Sequence, residues 1–190
     1  MTPDDITQLL AELFGTAVDA VPPERWQIVD GDSRLLLLMS DDQSWLRVLI
    51  SIAPAQEAQA LLTQLLEANF DETQEARYAL YQNVLWGVFQ HAVQTLTPED
   101  LQGAIARLID MKKKGLSTAF KQVAESQIRQ IIYASKMNGQ SLETTMQTLE
   151  RFYEEGVMGE MTQDAEQRAR VLTAWRSQLE RLWHEVGDEG

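Results

Sequence analysis

Apolar positions recur along this chain with two periods, helical and alternating, and the changes between them mark the elements. Thr2 is placed to cap a helix, with Pro3 in its first turn and Asp4 and Asp5 at its positive end. Ile6, Leu9, Leu10, Leu13 and Phe14 then form one apolar stripe at helical spacing. Gly15 begins the stop and Pro22-Pro23 enforces it. Three strands are predicted next: residues 26–29, closed by Asp30-Gly31-Asp32-Ser33; residues 35–39, closed by Ser40-Asp41-Asp42; and residues 45–52. In the last of these, Leu46, Val48, Ile50 and Ile52 share one face, and Trp45, Arg47, Leu49 and Ser51 share the other. Only one face can be buried in a given register, so the Leu46 set is expected under the helices. The polar linkers are short, which predicts an antiparallel meander.

Pro54 ends the third strand. A helix with Ala58, Leu61, Leu62, Leu65, Leu66 and Phe70 as its expected buried stripe follows. Residues 77–82 and 85–91 read as two more strands, with Gln82-Asn83 near their turn. Thr97-Pro98-Glu99-Asp100 combines a cap, a first-turn proline and two acids, and so opens another helix, with Leu101, Ile105, Leu108 and Ile109 as its apolar face. The predicted order is αβββαββα, an α+β fold with helices packed on an antiparallel sheet.

Beyond Gly115 the pattern is helical only. One helix is predicted over residues 117–136, with Phe120, Val123, Ala124, Ile128, Ile131 and Ile132 near one stripe, and it closes at Asn138-Gly139. Ser141-Leu142-Glu143 reopens a helix carrying Met146 and Leu149, and Gly156 and Gly159 mark a break. A last helix is predicted over residues 162–186, where Leu172, Trp175, Leu179, Leu182 and Val186 form a short heptad-like seam. These stripes can fold back on the sheet, pair with each other or pair with a second subunit; a helical bundle packed within a dimer is expected, since two stripes in one chain can satisfy each other. The predicted domains are therefore 1–115 and 116–190.

Charge divides the chain at the same place. Residues 1–111 hold 17 acidic and five basic side chains, whereas residues 112–190 hold 12 and 11. Lys112-Lys113-Lys114-Gly115 at the break reads as a helix C-terminus, where cations complement the macrodipole and glycine supplies the cap. A formal net charge of −13 argues against nucleic-acid and anionic-membrane partners. The N-terminus carries acids where a signal peptide needs cations, and no apolar run is long enough to span a bilayer. A cytoplasmic location is expected.

Candidate chemistry is sparse. The chain has no cysteine and only His91 and His184, and it holds no phosphate-binding loop, zinc-protease motif, EF-hand loop or nucleophile elbow. Acid pairs stand at Asp4-Asp5, Asp41-Asp42, Asp71-Glu72, Glu99-Asp100 and Glu154-Glu155, mostly where helix starts or turns use acids structurally. No catalytic residue, metal ligand or cofactor is predicted. Trp45 and Trp86 fall on strands in the acid-rich region, as core packing or as part of a protein-binding face. Trp45, Arg47, Leu49 and Trp86 are the candidate partner-binding residues. Met137, Met146, Met158 and Met161 cluster in the helical part, where methionine fills cores or adaptable surfaces.

Two segments carry a family resemblance. Leu61-Leu62-Thr63-Gln64-Leu65-Leu66-Glu67-Ala68-Asn69-Phe70 resembles the leucine-rich helix that ends in Asn-Phe before strand four of the type III secretion chaperone fold, a fold shared with the YbjN-like sensory-transduction family. Leu96-Thr97-Pro98-Glu99-Asp100-Leu101 resembles that fold's exit from strand five into its last helix. With the order αβββαββα, the resemblance covers roughly residues 3–115, and the helical region beyond it is a departure. It implies a non-enzymatic, homodimeric, chaperone- or adaptor-like module that binds another protein. The alternatives are a regulatory scaffold binding through the helical tail and a small acid-dependent hydrolase.

Overall fold

A computed structural model describes residues 1–31, 33–154 and 165–187. The chain forms two compact units, Met1–Phe120 and Lys121–Gly190. The first contains α1 (Pro3–Phe14), β1 (Val18–Val21), β2 (Arg25–Asp30), β3 (Ser33–Met39), β4 (Trp45–Pro54), α2 (Ala55–Ala58), α3 (Leu62–Asp71), β5 (Arg77–Tyr81), β6 (Val84–Ala92) and α4 (Pro98–Lys114). Its six strands make one antiparallel sheet in the order β1-β2-β3-β4-β6-β5. This is the expected α+β arrangement with one strand more at the edge. The sequence pattern assigns no element to residues 18–21, yet they alternate in burial and pair with β2.

Both long helices of this unit start as their sequences require. Thr2 Oγ1 accepts from the Asp5 N–H while the Asp5 carboxylate accepts from the Thr2 N–H, and Thr97 and Asp100 repeat the arrangement on α4. Each such cap contributes about 1 kcal/mol. At the other end of α4, Gly115 adopts φ 53° and its N–H donates to the Met111 carbonyl at 2.9 Å. Lys114 pairs with Asp110 at 2.8 Å, and Lys112 Nζ donates to the Ile52 carbonyl at 3.3 Å. Ile52 lies where a bulge between Ser51 and Ala53 breaks the β4–β6 ladder, so Lys112 gives the carbonyl of the bulged residue a partner. The lysine cluster is thus a helix terminus with one further structural contact.

Burial along the strands follows one phase except at Val88 of β6, which is 7% exposed on the opposite face. Trp26 and Ile28 of β2, Leu35, Leu37 and Met39 of β3, Leu46, Val48, Ile50 and Ile52 of β4, and Leu85 and Phe89 of β6 are buried beneath the helices. Leu46, Val48 and Ile50 are 0% exposed, as the alternation in β4 predicts. Trp26 reaches α1 through its Nε1–H, which donates to Thr7 Oγ1 at 2.8 Å. Helix α4 packs against β4 and β6 through Leu101, Ala104, Ile105, Leu108 and Met111. The approach is close because residue 87 is glycine: a Cβ there would stand 3.1 Å from both Ile50 and Leu108 side chains. Gln82 and Asn83, both at positive φ, make the two-residue hairpin turn between β5 and β6.

The connection from β4 to β5 departs from the expected single helix. It is broken into α2, a 3-10 turn at Gln59–Leu61, and α3. Ala58, Leu61 and Leu65 are buried, but Leu66 is 65% and Phe70 92% exposed. The expected stripe was too wide: one helix face could not bury all six residues, and Leu62, Leu66 and Phe70, at i, i+4 and i+8, form a separate ridge on its outer side. Asn69 of α3 instead faces β5. Its side-chain amide accepts from the Tyr78 N–H at 2.7 Å and donates to the Tyr78 carbonyl at 3.2 Å, as a neighbouring strand would.

The second unit consists of α5 (Ser117–Met137, whose first residues belong to the first unit), α6 (Leu142–Glu154) and α7 (Ala165–Trp183). Ile128, Ile132, Met146, Leu149, Leu179 and Leu182 form its core, with Ile131, Trp175, Trp183 and Val186 packed against it. The stripes cover one another within the chain, but the expected α5 stripe was too long: Phe120 is 64% exposed and the core begins at Ile128. Glu125, Arg129, Arg181 and Glu185 join α5 to α7 in a network of ion pairs between 2.6 and 3.6 Å. Hydrogen bonds from both arginines hold the Glu125 carboxyl below its ordinary pKa. Gly156, Gly159, Met158, Met161 and the expected start of the last helix lie outside the described residues.

The phase of β4 gives a stability test. Val48→Asp places an unpaired carboxylate under the helices and is expected to cost about 3 kcal/mol or more. Gly87→Val forces α4 off the sheet and is expected to cost about 1–3 kcal/mol. Arg47→Glu, on the other face, should leave the melting temperature nearly unchanged. Equal losses for Val48→Asp and Arg47→Glu in thermal denaturation would reverse the assignment of faces.

Candidate functional site: the open face of the sheet

The strand positions out of phase with the core define the opposite face of the sheet. Paired residues project to the same side, so the register orders this face in rungs. The first runs Val21, Arg25, Leu38, Arg47, Gln90. The second runs Asp19, Gln27, Leu36, Leu49, Val88, Arg77. Beyond it come the pair Val29 and Arg34 and the run Ser51, Trp86, Ala79. Half-buried Leu36, Leu38 and Leu49 make a central apolar strip that continues into buried Val88, and arginines stand around it.

All four candidate residues, Trp45, Arg47, Leu49 and Trp86, lie on this face and are half-buried. Trp45 begins β4 with the Arg47 guanidinium 4.8 Å from its ring centroid. Arg47 also donates to Gln90 Oε1 from Nε and Nη2, at 3.3 and 3.2 Å. Its head group is therefore held in place by a ring and a neutral acceptor. Trp86 lies opposite Ala79, whose small side chain leaves room for the indole, and its Nε1–H donates to the Tyr81 carbonyl at 3.1 Å. The fully buried tryptophan is Trp26, on the helix side.

Sequence reasoning missed Arg25, Arg34, Arg77, Leu36, Leu38 and Val88. The run Leu35-Leu36-Leu37-Leu38-Met39 is apolar at every position, so it shows no phase. A signal was present all the same, because a strand with apolar residues in both phases presents one set away from the helices. Arg25 and Arg77 lie at strand ends, and only pairing shows that they share a face with Arg47.

Other candidates fall elsewhere. His91 projects to the helix side of β6, stacked on Phe89 at 5.8 Å, with Nδ1 2.8 Å from the Ala92 carbonyl oxygen. His184 is exposed in the turn after α7. Asp4-Asp5 and Glu99-Asp100 belong to helix starts, Asp41-Asp42 to the β3–β4 turn, and Asp71-Glu72 to the end of α3. Glu155 lies outside the described residues. Among the described residues no three His, Cys, Asp or Glu side chains are grouped to hold a metal ion, and no helix is long and apolar enough to cross a membrane.

The turn that delivers Trp45 to the face is fixed by Asp42. One carboxylate oxygen, Oδ1, accepts from Ser40 Oγ at 2.6 Å, Ser44 Oγ at 2.8 Å and the Ser44 N–H at 3.0 Å. Ser40 Oγ in turn accepts from the Trp45 N–H at 3.1 Å. These hydrogen bonds to the ionised form, led by that of Ser40, hold the Asp42 carboxyl at about 2, below the ordinary 3.8. A depressed carboxylate stabilises the fold above the ordinary value, and that contribution fades as the pH falls through about 2. The Ser44 amide resonance should therefore titrate with a midpoint near 2 and lose that transition in Asp42→Ala. A midpoint near 3.8 would show that the turn is not held in this way.

No protein-family model matches the sequence, and no curated protein matches it. Solved structures do match. The chain is similar to one in the crystal structure of the ExsC–ExsE complex, at 16% identity and a TM-score of 0.47, over 60% of this chain and 97% of that one. It is similar to the Yersinia pestis type III secretion chaperone SycH in complex with a stable fragment of YscM2, at 14% identity and a TM-score of 0.48, over 60% and 98%. It is also similar to a chain of the heterodimeric ExoU–SpcU complex from the type III secretion system of Pseudomonas aeruginosa, at 14% identity and a TM-score of 0.47, over 59% and 95%.

Proposed function

We propose that this protein is a non-enzymatic protein-binding module, chaperone- or adaptor-like, that works as a homodimer and receives a segment of another protein on the open face of its sheet. Residues 1–115 form the binding domain in this reading, and residues 116–190 are an accessory helical region. The observation that carries it is the make-up of that face, where Trp45, Leu49 and Trp86 join Leu36 and Leu38 beside oriented guanidinium groups. Partly exposed aromatic, leucine and arginine side chains on one surface match the composition of protein interfaces.

The edges of the sheet favour the face over strand addition. At β5 the outward N–H and carbonyl of Tyr78 are both engaged by Asn69. At the other edge β1 is only four residues long. A partner strand would find few free groups at either edge.

The ridge of Leu62, Leu66 and Phe70 on α3 supports self-association. A phenylalanine 92% exposed beside a leucine 65% exposed is an apolar patch separate from the open face. An isologous pair of α3 helices would cover it twice over.

Light scattering at micromolar concentration should give twice the 21.6 kDa chain mass, and Leu66→Asp with Phe70→Asp should return a folded monomer. A monomer at every concentration for the unaltered chain would remove the dimer from this reading. Leu49→Asp and Trp86→Asp should weaken partner capture about tenfold or more without changing molar mass. Undiminished capture by both variants would place the partner elsewhere.

A further inference from the structure

The first unit, residues 1–120, carries 17 acidic side chains and eight basic ones: Arg25, Arg34, Arg47, Arg77, Arg107, Lys112, Lys113 and Lys114. Arg25, Arg34, Arg47 and Arg77, the four basic residues on strands, all lie on the open face of the sheet. The other four lie on α4, where Arg107 donates to Gln74 at 2.6 Å, Lys112 donates to the Ile52 carbonyl and Lys114 pairs with Asp110. The same face carries a single carboxylate among the described residues, that of Asp19, 3.9 Å from Arg25. No described carboxylate lies within ion-pair distance of Arg34, Arg47 or Arg77. Every Arg and Lys side chain of the sheet thus lies on one face, and none lies on the helix side.

Their placement is ordered by the register. Arg25 and Arg47 flank Leu38 on one rung, about 10 Å apart at two strand spacings. Arg77 ends the rung that holds Leu36, Leu49 and Val88, and Arg34 lies opposite Val29 on the next. The apolar strip is therefore bracketed by guanidinium groups on both sides.

From this arrangement we propose that the segment received by the open face is acidic and amphipathic, an apolar stripe flanked by Asp and Glu. The inference rests on the protein-binding reading above and names the chemistry of its partner. Guanidinium groups pair with carboxylates in bidentate geometry, and the strip beneath screens those pairs from water. An amphipathic helix about 10 Å across fits between Arg25 and Arg47 with its apolar stripe on the leucines. A second copy is disfavoured, because isologous pairing of this face sets arginine against arginine. Nucleic acid meets the cations but brings no aliphatic groups to cover Leu36, Leu38 and Leu49, and the acidic remainder of the unit repels its phosphates.

The test is selection of short random peptides displayed on phage against the full-length protein, in parallel with Arg34→Glu/Arg77→Glu. The unaltered protein should enrich peptides in which Asp and Glu flank apolar residues. Their synthetic forms should bind about tenfold or more weaker to the double variant, and replacing their Glu with Lys should restore binding there. Raising the salt to about 0.5 M should weaken the native pair.

Enriched peptides without acidic excess that still lose binding to Leu49→Asp would overturn the acidic chemistry and leave the docking face standing. Peptides indifferent to Leu49→Asp and Trp86→Asp, or no enrichment at all, would overturn both readings. Binding of an oligonucleotide or of phosphatidylserine vesicles that Arg34→Glu/Arg77→Glu abolishes would overturn the proposal in favour of that ligand. A change in molar mass for the same variant would assign the face to a second copy. An intramolecular cross-link from a photo-reactive residue in place of Leu36 to residues 117–190 would assign it to the chain's own helices, and either result overturns the proposal.

Discussion

The pairing of β4 with β6 is the constraint on which the first unit depends. It joins strands far apart in sequence, and so welds the β1–β4 meander to the β5–β6 hairpin. It brings Ile50 beside Gly87, and the missing side chain at Gly87 admits Leu108 of α4. Period-two geometry makes the register all or nothing: a slip by one residue would turn Trp45, Arg47 and Leu49 under the helices and expel Leu46, Val48 and Ile50. The same contact that closes the core therefore composes the outer face. The bulge after Ser51 leaves these rungs intact, because it falls beyond the last of them, and Lys112 partners the carbonyl of the bulged residue.

Electrostatics and packing act on the open face together. The four arginines of the sheet supply half of the cations that offset the self-repulsion of an acidic unit. Collected on one face, they set charged groups around an apolar strip that would otherwise invite indiscriminate association. Arg47, steadied by Trp45 and Gln90, loses less conformational freedom on meeting a carboxylate than a free arginine would. Asn69 occupies an edge position of β5 and so reduces the room for uncontrolled strand addition.

The helical unit follows a different logic. None of its helices is apolar all round, and each amphipathic stripe finds cover in the other two, so Ile132, Met146, Leu179 and Leu182 reach 0% exposure in a small core. Glu125 and Glu185 tie α5 to α7 through Arg129 and Arg181. Those pairs are partly exposed and contribute modestly, on the order of 1 kcal/mol or less each, so apolar burial dominates.

Local chemistry was enough to determine the helix starts at Thr2 and Thr97, the stop at Gly115, the buried phase of β4 and the α+β order, because caps, turns and alternation act over a few residues. It also brought Trp45, Arg47, Leu49 and Trp86 forward, since β4 alternates and Trp86 falls on a readable strand. Tertiary structure decided what depends on distant partners. Residues 18–21 became a strand because β2 offered a free edge. The uniform run at 35–39 received its phase from pairing with β2 and β4. Leu66 and Phe70 were left outside because α3 could turn only one narrow face to the sheet. Arg25, Arg34 and Arg77 became neighbours of Arg47 only when five strands were laid side by side, since hydrogen-bonded register, not sequence separation, sets which side chains share a face.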